Sequence, residues 1–207
     1  MNLPNKITVA RIILAIIILI MLVIPWHALG VIWPAYDSFF GFAIDTPLSL
    51  KYIITGSLFL VASLTDRIDG QIARKRNLVT DLGKMLDAIA DKILVNGVLI
   101  VLAYDRIIPL LIPVVIITRD IITDTCKMVS GNKGKVVAAS WTGKIKTAFM
   151  MTGVTLAFFG NLPFELFHFD FTSLCLIIAT ILSLVSGCQY YFNTMKVLKE
   201  PDKKKGN

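Results

Sequence analysis

The sequence predicts an all-α polytopic membrane protein, with six transmembrane helices in one bundle and a polar cavity open to the cytoplasm. Three observations predict it. The 207 residues are 56% hydrophobic and only 17% charged, below the quarter usual for soluble domains, and mean hydropathy is +0.74. Apolar segments recur near residues 7–25, 49–74, 84–104, 107–128, 144–161 and 172–196, separated by charged or Gly/Pro stretches. Basic residues alternate by side. They fill the first, third, fifth and seventh extramembrane segments, from Lys6 and Arg11 to Lys203, Lys204 and Lys205. The even segments offer only Lys51 and Arg106, against Asp37, Asp45, Asp105, Glu165 and Asp170. By the positive-inside rule, both termini face the cytoplasm.

The first segment, Ile12 to Ile24 after Arg11, has no small-residue cleavage site before Pro25-Trp26 and reads as a retained membrane helix rather than a signal peptide. Trp26 and Trp33 suit the outer interface and Trp141 the inner one. One membrane domain over residues 1–198 and a basic cytoplasmic tail over 199–207 follow. The net charge of +7 reflects topology and attraction to anionic lipid, so nucleic acid is not an expected partner. Cys126, Cys175 and Cys188 are odd in number and widely spaced, as buried small residues in a reducing compartment would be. His27 and His168 fall on the outer side.

Helices two, three and four turn polar at one depth. Helix two is apolar or small only from Tyr52 to Leu64, roughly 20 Å against the ~30 Å hydrocarbon core. Asp66 and Asp69 then lie below the cytoplasmic surface. Helix three is largely apolar from Ile93 to Ala103, which places Asp87 and Asp91 at a similar depth. Helix four is apolar from Ile107 to Thr118, then presents Arg119, Asp120 and Asp124. Charge exposed to lipid at that level is costly, so these faces converge on a wet cavity. Asp81 is expected in the loop between helices two and three.

Spacing sharpens this. Asp66, Asp69, Gly70 and Ala73 fall at i, i+3, i+4 and i+7, one helical face; Gly83, Asp87 and Asp91 form a stripe on the next helix. Converging carboxylates repel one another unless cations intervene. Hard oxygen ligands favour Mg²⁺, Mn²⁺ or Ca²⁺ over zinc, and two divalent ions balance four charges. Gly70 and Ala73 leave room on the carboxylate face, and Arg74 supplies a rigid fork suited to phosphate. Intramembrane carboxylates also mark ion pathways, but the outer halves of helices two to four offer almost no polar positions to continue one.

The full pattern, Asp66-x-x-Asp69-Gly70-x-x-Ala73-Arg74, eight residues, Gly83-x-x-x-Asp87-x-x-x-Asp91, resembles the signature of the CDP-alcohol phosphotransferases at all eight fixed positions. A chance match at one start is on the order of one in a billion. The flanks Asn2-Leu3-Pro4-Asn5-Lys6-Ile7-Thr8-x-x-Arg11 and Lys135-Val136-Val137-Ala138-Ala139-Ser140-Trp141-x-Gly143-Lys144-x-Lys146-Thr147 are similar to those of its bacterial phosphatidylglycerophosphate synthase branch.

The resemblance implies transfer of a phosphatidyl group from CDP-diacylglycerol to sn-glycerol 3-phosphate, with release of CMP. It implies a bacterial plasma membrane, two divalent cations (Mg²⁺ or Mn²⁺) and a homodimer. By position it makes Asp66, Asp69 and Asp87 metal ligands, and Asp91 the general base and a further ligand. Gly70, Ala73 and Arg74, with Asn5 and Thr8, become the nucleotide and diphosphate surface. An acceptor phosphate needs its own cations, and Arg119, Lys135, Lys144 and Lys146 are the candidates; the competing reading of Arg119 is a structural pair with Asp120 or Asp124. The same chemistry on serine, an inositol phosphate or phosphatidylglycerol is the alternative, ahead of a divalent-metal transporter.

Overall fold

The computed structural model describes residues 3–39, 42–75, 81–132 and 141–199. Among them are six long helices: α1 (Leu3–Val23), α2 (Leu50–Lys75), α3 (Asp81–Tyr104), α4 (Leu111–Asn132), α5 (Trp141–Phe158) and α6 (Phe171–Lys199). Each coincides with an expected segment. The tail from residue 200 onward lies outside the described residues, as does Lys135.

Local chemistry sets the helix ends. α1 stops at Val23, two residues before Pro25, which cannot continue the ladder. The Trp26 indole N–H then donates to the Met21 carbonyl at 2.7 Å and folds the chain back over the helix end. α4 begins at Leu111 rather than near 107, because Pro109 precedes it; Pro113 sits in its first turn, where a missing N–H is harmless. Asp170 caps α6 by accepting the Ser173 backbone N–H at 2.9 Å, the usual N-cap arrangement. Asp81 opens α3 instead of lying in a loop. The hydropathy pattern did not anticipate the antiparallel pair between α1 and α2, β1 (Ala35–Phe39) and β2 (Phe42–Ser49), with Tyr36 opposite Leu48.

The helices pack as two trios. α1 lies against α2 and α3, and α6 against α4 and α5; the trios meet where α2 touches α5 and α3 touches α4. The second trio is laced by polar pairs, Ser130 with Thr194 at 3.2 Å and Thr142 with Gln189 at 2.8 Å. The shared core includes Ile18, Phe59, Val98, Leu99, Leu102, Val154, Phe158 and Leu176. Glycines make tight crossings. A Cβ on Gly97 would collide with Leu19 of α1, and one on Gly56 would stand 2.6 Å from Cβ of Phe158 across the seam. Other helix hydroxyls donate to their own backbone, Thr55 to Lys51 O and Thr180 to Leu176 O, each at 2.7 Å.

The outward surface is apolar. Ile13, Ile16, Ile17 and Ile20 of α1 and Ile177, Ile181 and Leu184 of α6 are exposed. Among the described residues, α6 is the helix long and apolar enough by itself to cross a membrane, and α1 carries a shorter apolar stretch, Ile7–Val23. Site charges interrupt the apolar runs of the others.

Gly56→Val should therefore overpack the α2–α5 crossing, costing about 1–3 kcal/mol, or roughly 2–12 °C in Tm for a chain of this size. Gly131→Ala, where no atom lies within 4 Å of the added Cβ, should lower Tm not at all. Thermal unfolding of both variants in detergent makes the comparison.

Candidate active site

A guanidinium in an apolar helix must find partners or remain unstable. Arg11, in the middle of α1, has a side chain only 5% exposed. Its Nη1 bridges two helices at once. It pairs with Oδ1 of Asp66 on α2 and lies 2.6 Å from Oδ1 of Asp87 on α3. The two carboxylates are more open, 35% and 51% exposed, so the bridge has a dry side and a wet side. Arg11 Nε is buried without an acceptor. Thr8, one turn earlier on the same face, is buried too.

Asp91 follows Asp87 by one turn and is solvent-accessible. It feels the charges of Asp87 and Arg11, and those of Lys146 and Asp120 from the other trio. Asp66 and Asp87 are thus brought together on Arg11, with Asp91 within the field of their charges. Asp69, Gly70, Ala73 and Arg74 belong to the last turns of α2 and Asn5 to the first turn of α1; their side chains lie outside the described residues.

The second trio supplies the opposite sign. Arg119 on α4 donates from Nη1 to Oδ1 of Asp120 at 2.6 Å and from Nη2 to Oγ of Ser186 on α6. Gly187 makes room for it: an added Cβ would stand 2.8 Å from the Arg119 Cγ. Arg119 Nε is buried without an acceptor. Lys146 on α5 is also buried and reaches Oδ1 of Asp120 at 3.1 Å. Asp120 is therefore shared by two cations, and the group as a whole retains a positive charge. Lys144 is not part of it. That residue is exposed, with its ammonium 5.5 Å from the centre of the Trp141 ring. Asp124 turns outward to Lys92 of α3 and lies 3.9 Å from Lys127.

The pairing of Arg119 with Asp120, the alternative weighed from sequence, is present, and a cationic group is present beside it. Three participants escaped the sequence reading. Arg11 was counted as a topological charge, and Ser186 and Gly187 fall in a helix that carried no motif. Only Arg11 left a signal, as a cation inside an apolar segment with no carboxylate at helical spacing.

Among the described residues, no three His, Cys, Asp or Glu side chains are grouped closely enough to enclose a metal ion. The donor set nevertheless fits a hard cation. Asp66 and Asp87 offer carboxylate oxygens, with no nitrogen or sulfur ligand between them, and a positive guanidinium already lies between them.

Chemically, the arrangement sets carboxylates against a cationic pocket across one seam. The first side can neutralise or deprotonate; the second can hold an anion. The CDP-alcohol phosphatidyltransferase model matches residues 1–185. The chain is 40% identical to a CDP-diacylglycerol–glycerol-3-phosphate 3-phosphatidyltransferase of Bacillus subtilis, over 96% of this chain and 97% of that one. It is 33% identical to the protein of the same name from Mycoplasma genitalium, over 96% and 86% of the two chains. The likeness to that of Rickettsia bellii is 32%, over 92% and 93%. The chain belongs to the CDP-alcohol phosphatidyltransferase family.

Proposed function

We propose that this protein transfers the phosphatidyl group of CDP-diacylglycerol to sn-glycerol 3-phosphate, giving phosphatidylglycerophosphate and CMP, at the cytoplasmic face of a bacterial plasma membrane. The observation that carries the reading is the meeting of the two charge groups. Asp66, Asp87 and Asp91 stand on one trio, and Arg119 and Lys146 on the other, with Asp91 and Lys146 within each other's field. A diphosphate lipid and a small phosphorylated alcohol need such a pair of neighbours. The names carried by the Bacillus, Mycoplasma and Rickettsia relatives specify both substrates.

In this reading all six helices span the membrane, with the active site on the side of the basic loops. The exposed isoleucines of α1 and α6 support lipid contact, and the side assignment rests on the positive-inside rule. The family resemblance supplies the homodimer.

The acceptor enters with its phosphate on Arg119 and Lys146, and Lys135 is a further candidate to assist. Arg119 is held rigid by Ser186 and Asp120, so its fork is oriented before the acceptor arrives, at little entropic cost. The glycerol 1-hydroxyl then faces Asp91, whose carboxylate accepts its proton. The hydroxyl oxygen bonds to the β-phosphorus of CDP-diacylglycerol, the bond from that phosphorus to the bridging oxygen breaks, and CMP departs with the electron pair. Gly70, Ala73 and Arg74, with Asn5 and Thr8, form the surface for the nucleotide and diphosphate. Asp66, Asp69, Asp87 and Asp91 would hold two divalent ions, Mg²⁺ or Mn²⁺, which neutralise diphosphate charge when bound. Arg11 keeps α1, α2 and α3 in register by holding Asp66 and Asp87 together.

Purified protein given CDP-diacylglycerol, sn-glycerol 3-phosphate and Mg²⁺ or Mn²⁺ should release CMP, and EDTA should stop the release. Serine, inositol phosphate and phosphatidylglycerol should compete poorly; absence of CMP release with every acceptor would refute the proposal. Asp91→Asn should lower kcat by about 10²–10⁴-fold, the usual contribution of a general base, while nucleotide binding measured by calorimetry persists. Arg119→Lys keeps a charge but loses the fork. It should raise KM for glycerol 3-phosphate by roughly 10-fold or more and leave KM for CDP-diacylglycerol within about twofold of wild type; equal changes in both would reject the acceptor assignment.

A further inference from the structure

Holding three helices in register does not exhaust what Arg11 does. The Oδ1 atoms of Asp66 and Asp87 converge on one nitrogen, Nη1 of Arg11. Facing carboxylates turn such oxygens toward a cation that they share. The guanidinium therefore stands between the two groups that an ion would bridge. An ion reaching the pair must displace Nη1 or settle beside it.

Displacement has nowhere to lead. α1 contains no acidic residue to which Arg11 could turn. On its own helix face, Thr8 lies one turn before Arg11, and Ala15 and Ile18 lie one and two turns after it, all buried. Nε is already buried without an acceptor. Withdrawal into that wall would strand a charge away from both carboxylates and water, which is costlier than staying. The guanidinium thus remains beside any ion that binds.

Its charge then acts against that ion. A unit charge about 5 Å from a divalent cation, at an effective dielectric near 20, weakens binding by well over tenfold. Water at the partly open carboxylates screens part of this, so about tenfold is the least to expect. Asp91 also lies in the field of Arg11, so the attraction of that carboxylate for a cation is reduced as well.

We infer that Arg11 is a resident competitor for the divalent ion: the guanidinium that draws Asp66 and Asp87 together also keeps their hold on a metal weak and exchangeable. The inference rests on the proposed reading of these aspartates as metal ligands. It differs in sign from a purely architectural role. If Arg11 only positioned the carboxylates, removing it would let them spread and would weaken metal binding. If Arg11 competes, removing it strengthens metal binding.

Mn²⁺ binding to the purified full chain in detergent, without substrate, tests this through the electron paramagnetic resonance signal of the free ion. Arg11→Met should bind Mn²⁺ at least tenfold more tightly than wild type. Arg11→Lys, which keeps the charge, should stay within about threefold of wild type. Arg11→Met combined with Asp87→Asn should lose the gain, which assigns the ion to these carboxylates. Melting followed by circular dichroism in EDTA checks that each variant is folded, and Arg11→Gln replaces Arg11→Met should the latter fail to fold. Unchanged or weaker binding by the neutral variants would overturn the inference, as would equal tightening by Arg11→Lys. If those results came with metal-dependent CMP release by the wild type, the transfer reading would stand and the competition alone would fall. Absence of Mn²⁺ binding in every variant would remove the metal-ligand reading and this inference with it.

Discussion

The Arg11 bridge is the interaction on which the site depends. One buried guanidinium contacts carboxylates from two other helices, Asp66 of α2 and Asp87 of α3. Removing one member of such a group leaves an uncompensated charge, which costs about 3–5 kcal/mol in a buried setting. The bridge therefore fixes how α2 and α3 rotate relative to α1. Because Asp91 lies one turn beyond Asp87, the same constraint aims Asp91 at the seam. Packing makes the bridge possible: Gly97 lets α3 lie close against Leu19 of α1.

The second trio repeats the device with the signs exchanged. Asp120 is the shared anion, and Arg119 and Lys146 are its cations. The surplus differs in sign on the two sides of the seam, and that difference makes the place suitable for substrates with phosphates at both ends of the reaction. Neither trio contains the whole site. Contacts between α2 and α5 and between α3 and α4 bring the halves together, which explains why bulk at Gly56 matters some distance from any charge.

Much of this was legible in the sequence, for physical reasons. Long apolar runs mark helices, and a carboxylate stripe within one has few innocent explanations, so the six helices and the nearness of Asp66 to Asp87 were readable without coordinates. Proline chemistry explains why α4 starts later than hydropathy predicts. The β1–β2 pair was not readable because it lies between strong helical signals and is short. Pairings across helices were not readable either: nothing in the spacing of α1 states that Arg11 meets Asp66 and Asp87, or that Ser186 and Gly187 seat Arg119. Lys144 and Lys146 offer the opposite lesson. Two residues apart on a helix point about 200° apart, so only one of them could face the cluster, and the structure puts Lys146 there.

The most direct test of the account is a mutant cycle on the bridge itself, read as unfolding free energy in detergent. Asp66→Asn with Asp87→Asn, which strands the buried guanidinium, should destabilise the chain by about 3–5 kcal/mol, and Arg11→Met, which strands two partly exposed carboxylates, by about 1 kcal/mol. The triple variant should recover most of one of those losses, because neither charge is then left alone; a coupling of about 2 kcal/mol or more is the expected result. Strictly additive losses, or an Asp66→Asn/Asp87→Asn protein as stable as wild type, would contradict the claim that this buried guanidinium organises the site.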